Sequence, residues 1–132
     1  AVLNLIVAQR LVRKICLSCI SSYQPDEVLL ENIKKQSEEL KIKSVVRAGN
    51  RFYKGLACAS CGGSGYKGRT GIYETLNVDE GVRQLIASPD FTLDRLTNLA
   101  REQSMVTMFE DGMRKAEKGI TTVEEVFRVI RE

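Results

Sequence analysis

Two pairs of cysteines with the spacing C-x-x-C constrain this 132-residue chain more than any other feature. Cys16 and Cys19 form the first pair, and Cys58 and Cys61 form the second. Two residues between thiolates let a tight turn direct both sulfurs at one point, so two such turns complete a tetrahedral four-sulfur site. Closing the loop over residues 20–57 costs about 3 kcal/mol, whereas structural zinc supplies on the order of 10–16 kcal/mol in peptides. The spacing therefore predicts a metal site.

Soft thiolate ligands select zinc over magnesium or calcium, and iron is chemically feasible. Four protein ligands leave no open coordination position, so the predicted role is structural rather than catalytic. Three alternatives stay open: inert buried cysteines, two disulfides as in a secreted protein, or one reactive dithiol of the thioredoxin type. A dithiol of the thioredoxin type lies near a βαβ pattern, and this sequence does not have such a pattern.

The amino-acid composition excludes several classes of function. The chain is 43% hydrophobic and 28% charged, which is typical of a soluble globular domain. Its net charge of +3 is too small to indicate nucleic-acid binding, which requires clustered basic residues. There is no histidine, which excludes a Ser-His-Asp or Cys-His centre and imidazole ligands for zinc. We therefore do not expect this chain alone to be an enzyme.

The first fifteen residues are apolar but match neither a membrane span nor a signal peptide. Asn4, Gln9 and Arg10 interrupt the run well short of the roughly 18 residues that a spanning helix needs. No basic segment precedes the run and no small-residue cleavage pattern follows it. We interpret the chain as a fragment of a longer, cytoplasmic protein. Residues 1–8 are expected to end a helix and residues 9–15 to form a short strand.

The middle of the chain is predicted to hold one helix and two strands. Pro25 and Asp26 open an amphipathic helix, because proline fits a first turn and an acidic side chain complements the helix dipole. Strands are predicted over residues 51–56 and 69–76, where aromatic and β-branched residues concentrate. The apolar stripe of the helix consists of Leu29, Leu30, Ile33 and Leu40.

From residue 77 onward the pattern is helical. Four helices are predicted, and the third runs through Met108 and Ala116 and ends at Gly119, a glycine suited to the left-handed position after a helix. The predicted N-caps are Asn77 or Asp79, Thr92, and, in a capping-box spacing with Glu124 and Glu125, Thr121 or Thr122. The whole pattern indicates an α+β fold, with a small strand-containing half followed by a helical half.

A glycine-rich stretch after the second cysteine pair imitates two known motifs. Residues 63–70 read G-x-x-x-x-G-R-T, but Arg69 stands where a phosphate-binding loop needs lysine, and no buried strand precedes the glycines. Residues 58–65 match the C-x-x-C-x-G-x-G repeat of the zinc domain in DnaJ-type chaperones. That family uses several such repeats in series, and here there is one. We therefore predict a flexible turn.

A family resemblance accounts for more of the sequence. The strings AQRLVR (residues 8–13), GYKGRTGIYE (residues 65–74), MVTM (residues 105–108) and GITTVEEV (residues 119–126) resemble the C-terminal part of the secretion ATPases. These are the hexameric motors of type II secretion and of type IV pilus assembly. The resemblance covers essentially the whole chain and keeps both cysteine pairs in register.

The resemblance implies a zinc-binding subdomain appended to a RecA-like ATPase core. It makes Cys16, Cys19, Cys58 and Cys61 the ligands of one structural zinc. It divides the chain into a remnant of the ATPase core (1–15), a tetracysteine subdomain (16–76) and a C-terminal helical subdomain (77–132). The family's nucleotide motifs lie upstream, so ATP and magnesium would belong to the parent alone.

The resemblance also implies partners and a location. They are the rest of the parent ATPase, neighbouring subunits of its hexamer and platform proteins of the bacterial inner membrane, to which a cytoplasmic parent would be peripheral. Lys67 and Arg69 are candidate partner-surface residues, although solvated charges that balance the zinc site explain them equally well. The rival hypothesis is a zinc ribbon that binds nucleic acid. Basic and aromatic residues mix only weakly at residues 51–54 and 66–69, and we expect no nucleic acid.

Overall fold

The computed structural model describes residues 3–43, 45–46 and 49–131. Within these residues the fold is α+β, as predicted, with short antiparallel strands and five helices. In chain order the elements are β1 (Leu5–Ile15), β2 (Ile20–Tyr23), α1 (Glu27–Glu39), β3 (Phe52–Gly55), β4 (Tyr66–Asn77), α2 (Glu80–Ala87), α3 (Leu93–Glu102), α4 (Met108–Glu117) and α5 (Val123–Ile130).

The longest strands, β1 and β4, form an antiparallel ladder that runs from the pair Leu5–Asn77 to the pair Ile15–Tyr66. A helix ending in residues 1–8 was the wrong prediction for the described part of that segment, and residues 1 and 2 lie outside it. Leu5-Ile6-Val7 is apolar and partly β-branched, which suits a strand. Backbone pairing along the whole of residues 5–8 with β4 favours the strand over a helix.

A register shift near the end of β1 places two apolar side chains in the interior. The shift lies between Arg13 and Ile15, as in a β-bulge, where one extra residue changes the alternation of faces. Val12 and Ile15, three positions apart, are consequently both buried. Simple alternation along residues 9–15 does not predict this pair.

The second sheet is small. β2 and β3 pair antiparallel from Ile20–Gly55 to Tyr23–Phe52, so the predicted strand at 51–56 is confirmed. The predicted strand at 69–76 is also confirmed within the longer β4. β2 has the sequence ISSY, which is too short and polar for a periodicity signal, and it was not predicted.

The helix starts follow the capping rules. Asp26, Asp79, Thr92 and Thr122 each accept a hydrogen bond from the backbone N–H three residues ahead, as an N-cap does. Pro25 lies before the cap rather than in the first turn. Two further details differ from expectation: Leu30 is on the exposed side of α1, and the reciprocal capping box is at the start of α4, between Thr107 and Glu110, not at α5.

The main core joins elements from both halves of the sequence. α1 and β3 contribute Ile33 and Phe52, while α4 and α5 contribute the rest: Phe109, Met113, Ala116, Val123, Val126 and Phe127. A second cluster contains Val12, Ile72, Met108 and Val129, which come from β1, β4, α4 and α5. The proposed division at residue 76 stays a prediction, and buried side chains pack across it.

A buried carboxylate links α5 to β1. Glu125 is only 1% exposed and accepts hydrogen bonds from the backbone N–H of Arg13 (2.8 Å), from the Arg13 guanidinium (2.7 Å) and from Nε and Nη2 of Arg128 (3.0 and 2.9 Å). Burial raises the pKa of this carboxyl group, but the donors outweigh burial and lower the pKa to about 2. The group is therefore ionised throughout the ordinary pH range and stabilises the fold in that form.

We expect Glu125→Gln to lower the free energy of unfolding by about 3 kcal/mol at pH 7, because it removes a buried charge that two arginines share. The folded-state pKa lies below the usual 4.5. The stabilisation is therefore fully present above that value and is lost as pH falls towards 2. The difference between wild type and variant should accordingly shrink as pH falls from 5 to 3.

Urea unfolding followed by circular dichroism at several pH values measures this difference. Any loss of metal at low pH affects both proteins alike and cancels in the comparison. Glu124→Gln is the matched control, because Glu124 is the neighbouring residue and its carboxylate is exposed. A stability difference that does not change between pH 7 and pH 3 would contradict the assignment.

Candidate metal centre

The strand order brings the two C-x-x-C turns together. The first knuckle (residues 16–19) connects β1 to β2, and the second knuckle (residues 58–61) lies between β3 and β4. Because β1 pairs with β4 and β2 pairs with β3, both knuckles lie where the two sheets meet. The 38-residue separation in sequence is thereby closed by backbone pairing on either side of the site.

The four sulfur atoms have the spacing of a metal site. All four Sγ atoms lie within 4.8 Å of one another, and three of the separations are 3.7 Å (Cys16–Cys58), 3.9 Å (Cys19–Cys61) and 3.7 Å (Cys58–Cys61). A tetrahedron with zinc–sulfur bonds of about 2.3 Å has edges of about 3.8 Å. None of the four cysteines forms a disulfide, and these distances are far longer than a disulfide bond. The four cysteines are therefore arranged to bind one metal ion through their sulfur atoms.

Backbone donors favour the thiolate form of Cys61. Cys61 Sγ accepts N–H bonds from Cys58 (3.3 Å) and Gly65 (3.2 Å), and these, with the Cys58 contact first, lower its pKa to about 6. Burial raises the pKa of Cys19 to about 11. Metal binding consequently displaces a proton at least from Cys19, so the affinity for metal falls as pH falls.

Two glycine backbones in close contact hold the knuckles in place. A Cβ atom on Gly55 would lie 2.1 Å from the carbonyl oxygen of Gly65. That same oxygen accepts the backbone N–H of Cys16 at 3.0 Å, and the N–H of Leu56 donates to the carbonyl of Cys19 at 3.0 Å. The contact thus joins the end of β3 to both knuckles. Gly55 was not singled out from the sequence, although a glycine inside a strand indicates close backbone approach.

The glycine-rich stretch is a turn, as predicted. Gly62, Gly63 and Gly65 have φ values of +64°, +84° and +80°, which side-chain-bearing residues rarely adopt. The stretch leads from the second knuckle into β4 and not into a helix. Its geometry therefore differs from that of a phosphate-binding loop, which opens a helix.

The candidate partner-surface residues lie beside the second knuckle. Lys67 donates from Nζ to Ser60 Oγ at 3.0 Å, and Arg69 is exposed at the position that pairs with Arg13 across the ladder. The structure thus places both residues in the first part of β4, with Lys67 in contact with the second knuckle. Neither of them is a metal ligand.

Two of the aromatic residues that supported a nucleic-acid hypothesis, Phe52 and Tyr66, are occupied by contacts within the fold. Phe52 is fully buried. The Arg13 guanidinium lies 4.0 Å from the ring centroid of Tyr66, and the Tyr66 hydroxyl is 2.9 Å from Thr122 Oγ1. Single-stranded nucleic acids are bound by aromatic rings free to stack on bases, so these side chains do not form such a platform.

Fold and site together define a class: an α+β protein in which two C-x-x-C turns present a tetracysteine cluster able to hold a metal ion. The family of type II/IV secretion system proteins matches residues 1–128, and the chain belongs to that family.

Curated relatives carry the names of both branches of the family. The chain is 40% identical over 121 residues to the type IV pilus assembly ATPase PilB of Thermus thermophilus, covering 92% of this chain and 13% of the relative. It is 38% identical over 128 residues to the type II secretion system protein E of Pseudomonas aeruginosa, covering 96% and 23% respectively. It is 33% identical over 135 residues to the type II secretion system ATPase E of Vibrio cholerae, covering 96% of this chain and 23% of the relative.

The chain therefore spans less than a quarter of the length of these three relatives. Among the described residues, none of the helices has the length and apolar character to cross a membrane.

We expect Gly55→Ala to weaken metal binding at least about tenfold, because a methyl group cannot fit against the Gly65 carbonyl and the N–H bonds that depend on Gly65 would be displaced. Competition with a chromogenic chelator measures the affinity. Gly81→Ala, in the exposed part of α2, is the control and should bind metal like wild type. Unchanged affinity in Gly55→Ala would show that the contact does not position the ligands.

Proposed function

We propose that this chain is the zinc-stapled C-terminal module of a secretion or pilus-assembly ATPase. In this role it stabilises structure and subunit assembly, and hydrolysis takes place elsewhere in the parent. The observation that carries the proposal is the convergence of four cysteine sulfurs within 4.8 Å in a chain of this family. ATP and magnesium are assigned to the parent only.

Zinc is the metal we propose for the cluster. Four thiolates form the soft, negatively charged ligand set that zinc prefers, and the sulfur separations agree with its bond length. Cys16, Cys19, Cys58 and Cys61 would all be ligands. With four protein ligands there is no position for water or substrate, so the metal would supply stability and rigidity and not chemistry.

The proposed domain division follows the family resemblance. Residues 1–15 would be the last part of a RecA-like core, residues 16–76 the tetracysteine subdomain and residues 77–132 the helical subdomain. The exposed apolar side chains of β1, among them Leu5, Val7 and Leu11, support contact with further parts of the parent. Because α4 and α5 share a core with β3, the two later parts would move as one body.

The proposed setting is a hexameric motor in the cytoplasm, peripheral to the bacterial inner membrane through partner proteins. The module would contact neighbouring subunits and the secretion or pilus platform, with Lys67 and Arg69 on the contacting surface. Their exposure beside the second knuckle supports this assignment.

Metal analysis combined with a thiol count tests the proposal. We expect native mass spectrometry to show one zinc per chain and the four thiols to react only after a chelator is added. In Cys58→Ser zinc should be lost. The full-length parent carrying the same change should assemble pili or secrete protein far less while still binding ATP at its upstream site.

Ser18→Ala is the matched control, because Ser18 is an exposed residue between Cys16 and Cys19 and is not a ligand. It should retain zinc and function. A metal-free, folded wild-type protein in which all four thiols react without chelator would overturn the structural role of the metal.

A further inference from the structure

Charge is strongly segregated along this chain. Ten of the 20 Lys and Arg residues, and none of the 17 Asp and Glu residues, lie in residues 1–25 and 40–73. In the described part of the chain, these two segments contain both knuckles, β1, β2, β3 and most of β4. A zinc ion with four thiolates would add about −2, so these segments would stay strongly positive. The acidic residues all lie in α1 or its N-cap Asp26, at the end of β4, or later in the chain.

Two leucines are exposed on the knuckles. Leu17, inside the first knuckle, is 79% exposed, and Leu56, just before the second, is 61% exposed. The N–H of Leu56 bonds to the carbonyl of Cys19, so both leucines belong to the same pair of turns. Turns fixed by the cysteine cluster keep these apolar side chains in solvent with little freedom to withdraw.

Three lysines flank the two knuckles in the chain, and one of them is fixed by a hydrogen bond. Lys67 Nζ bonds to Ser60 in the second knuckle. The Lys14 side chain lies beside Gly68, with its Cδ 3.7 Å from where a Cβ of that glycine would be. The Lys54 ammonium lies 5.5 Å from the ring centroid of Tyr23. All three lysines are exposed. We call Lys14, Leu17, Lys54, Leu56 and Lys67 the knuckle surface.

Exposed leucines together with exposed lysines favour a protein segment over the other anionic partners, which are nucleic acid and lipid. Nucleic acid would require free stacking rings, whereas Tyr66 is covered by Arg13. A lipid surface attracts lysines irrespective of their exact positions and gains nothing from a cation fixed by a hydrogen bond, as Lys67 is. A protein partner gains from fixed positions, because fewer side chains have to be ordered on binding.

We propose that the knuckle surface binds an acidic protein segment that carries at least one large apolar side chain. The apolar side chain packs between Leu17 and Leu56, and the carboxylates pair with the surrounding lysines. The inference rests on the proposed function in one respect only, which is that the metal must be bound to hold the two knuckles together.

A random twelve-residue peptide library displayed on phage tests this proposal with the zinc-loaded chain as bait. We expect the recovered peptides to be enriched in Asp and Glu together with Leu, Ile or Phe, and to be released by salt. The consensus peptide is then titrated by fluorescence anisotropy. Leu17→Ser should weaken its binding about tenfold, and Lys67→Glu about threefold to tenfold.

The control is Lys34→Glu, a charge reversal at an exposed position of α1 away from the knuckles. It should leave the affinity unchanged. The zinc content of every variant is measured first. A fully loaded protein that selects no acidic-apolar peptide then overturns this inference alone, whereas a protein without zinc overturns the proposed function.

Two further arms cover the rival partners. Zinc-loaded protein is titrated with an oligothymidylate and with phosphatidylglycerol vesicles, each in the presence and absence of the consensus peptide. Tighter binding to either one than to the peptide would overturn the assignment to a protein partner. Peptide binding that Leu17→Ser and Lys67→Glu do not weaken would show that the peptide binds elsewhere.

Discussion

The meeting of four cysteine sulfurs at the junction of two small sheets is the constraint on which the rest of this structure depends. Sulfurs 3.7–3.9 Å apart cannot all be thiolates without a cation among them, because like charges at that distance repel strongly. A divalent metal removes the repulsion. The β2–β3 pair, with only four residues in each strand, is too small to be stable alone and depends on this junction.

Glu125 provides a second anchor on the same strand. Arg13, whose backbone and side chain both bond to Glu125, lies three residues before Cys16, so β1 connects the buried carboxylate to the cysteine cluster. Thr121 donates to the Arg13 carbonyl, and the N–H of Ile15 donates to the carbonyl of Ile120. The start of α5 and the first knuckle are therefore held in a fixed relation by polar bonds as well as by packing.

What was predictable from sequence was mostly what local chemistry determines. The C-x-x-C spacing predicted the cluster, and Thr92 and Gly119 marked a helix start and a helix end through capping and left-handed geometry. Long-range contacts decided the rest. β1 is longer than predicted because β4 pairs along it, and Glu125 has its carboxylate on two arginines and not in a capping box. Sequence spacing does not indicate either partner.

Rigidity is the property that connects the metal to the proposed role. A module that supports subunit assembly has to present a rigid surface. The core shared by α1, β3, α4 and α5 provides rigidity only where the helices pack. The knuckles lie beyond it, among turns that local hydrogen bonds alone would leave free to open. A metal ion bound by the four sulfurs would extend the rigid body to the knuckles. Leu17 and Leu56 are exposed there. On this view the metal fixes a contact surface that the hydrophobic core is too small to hold.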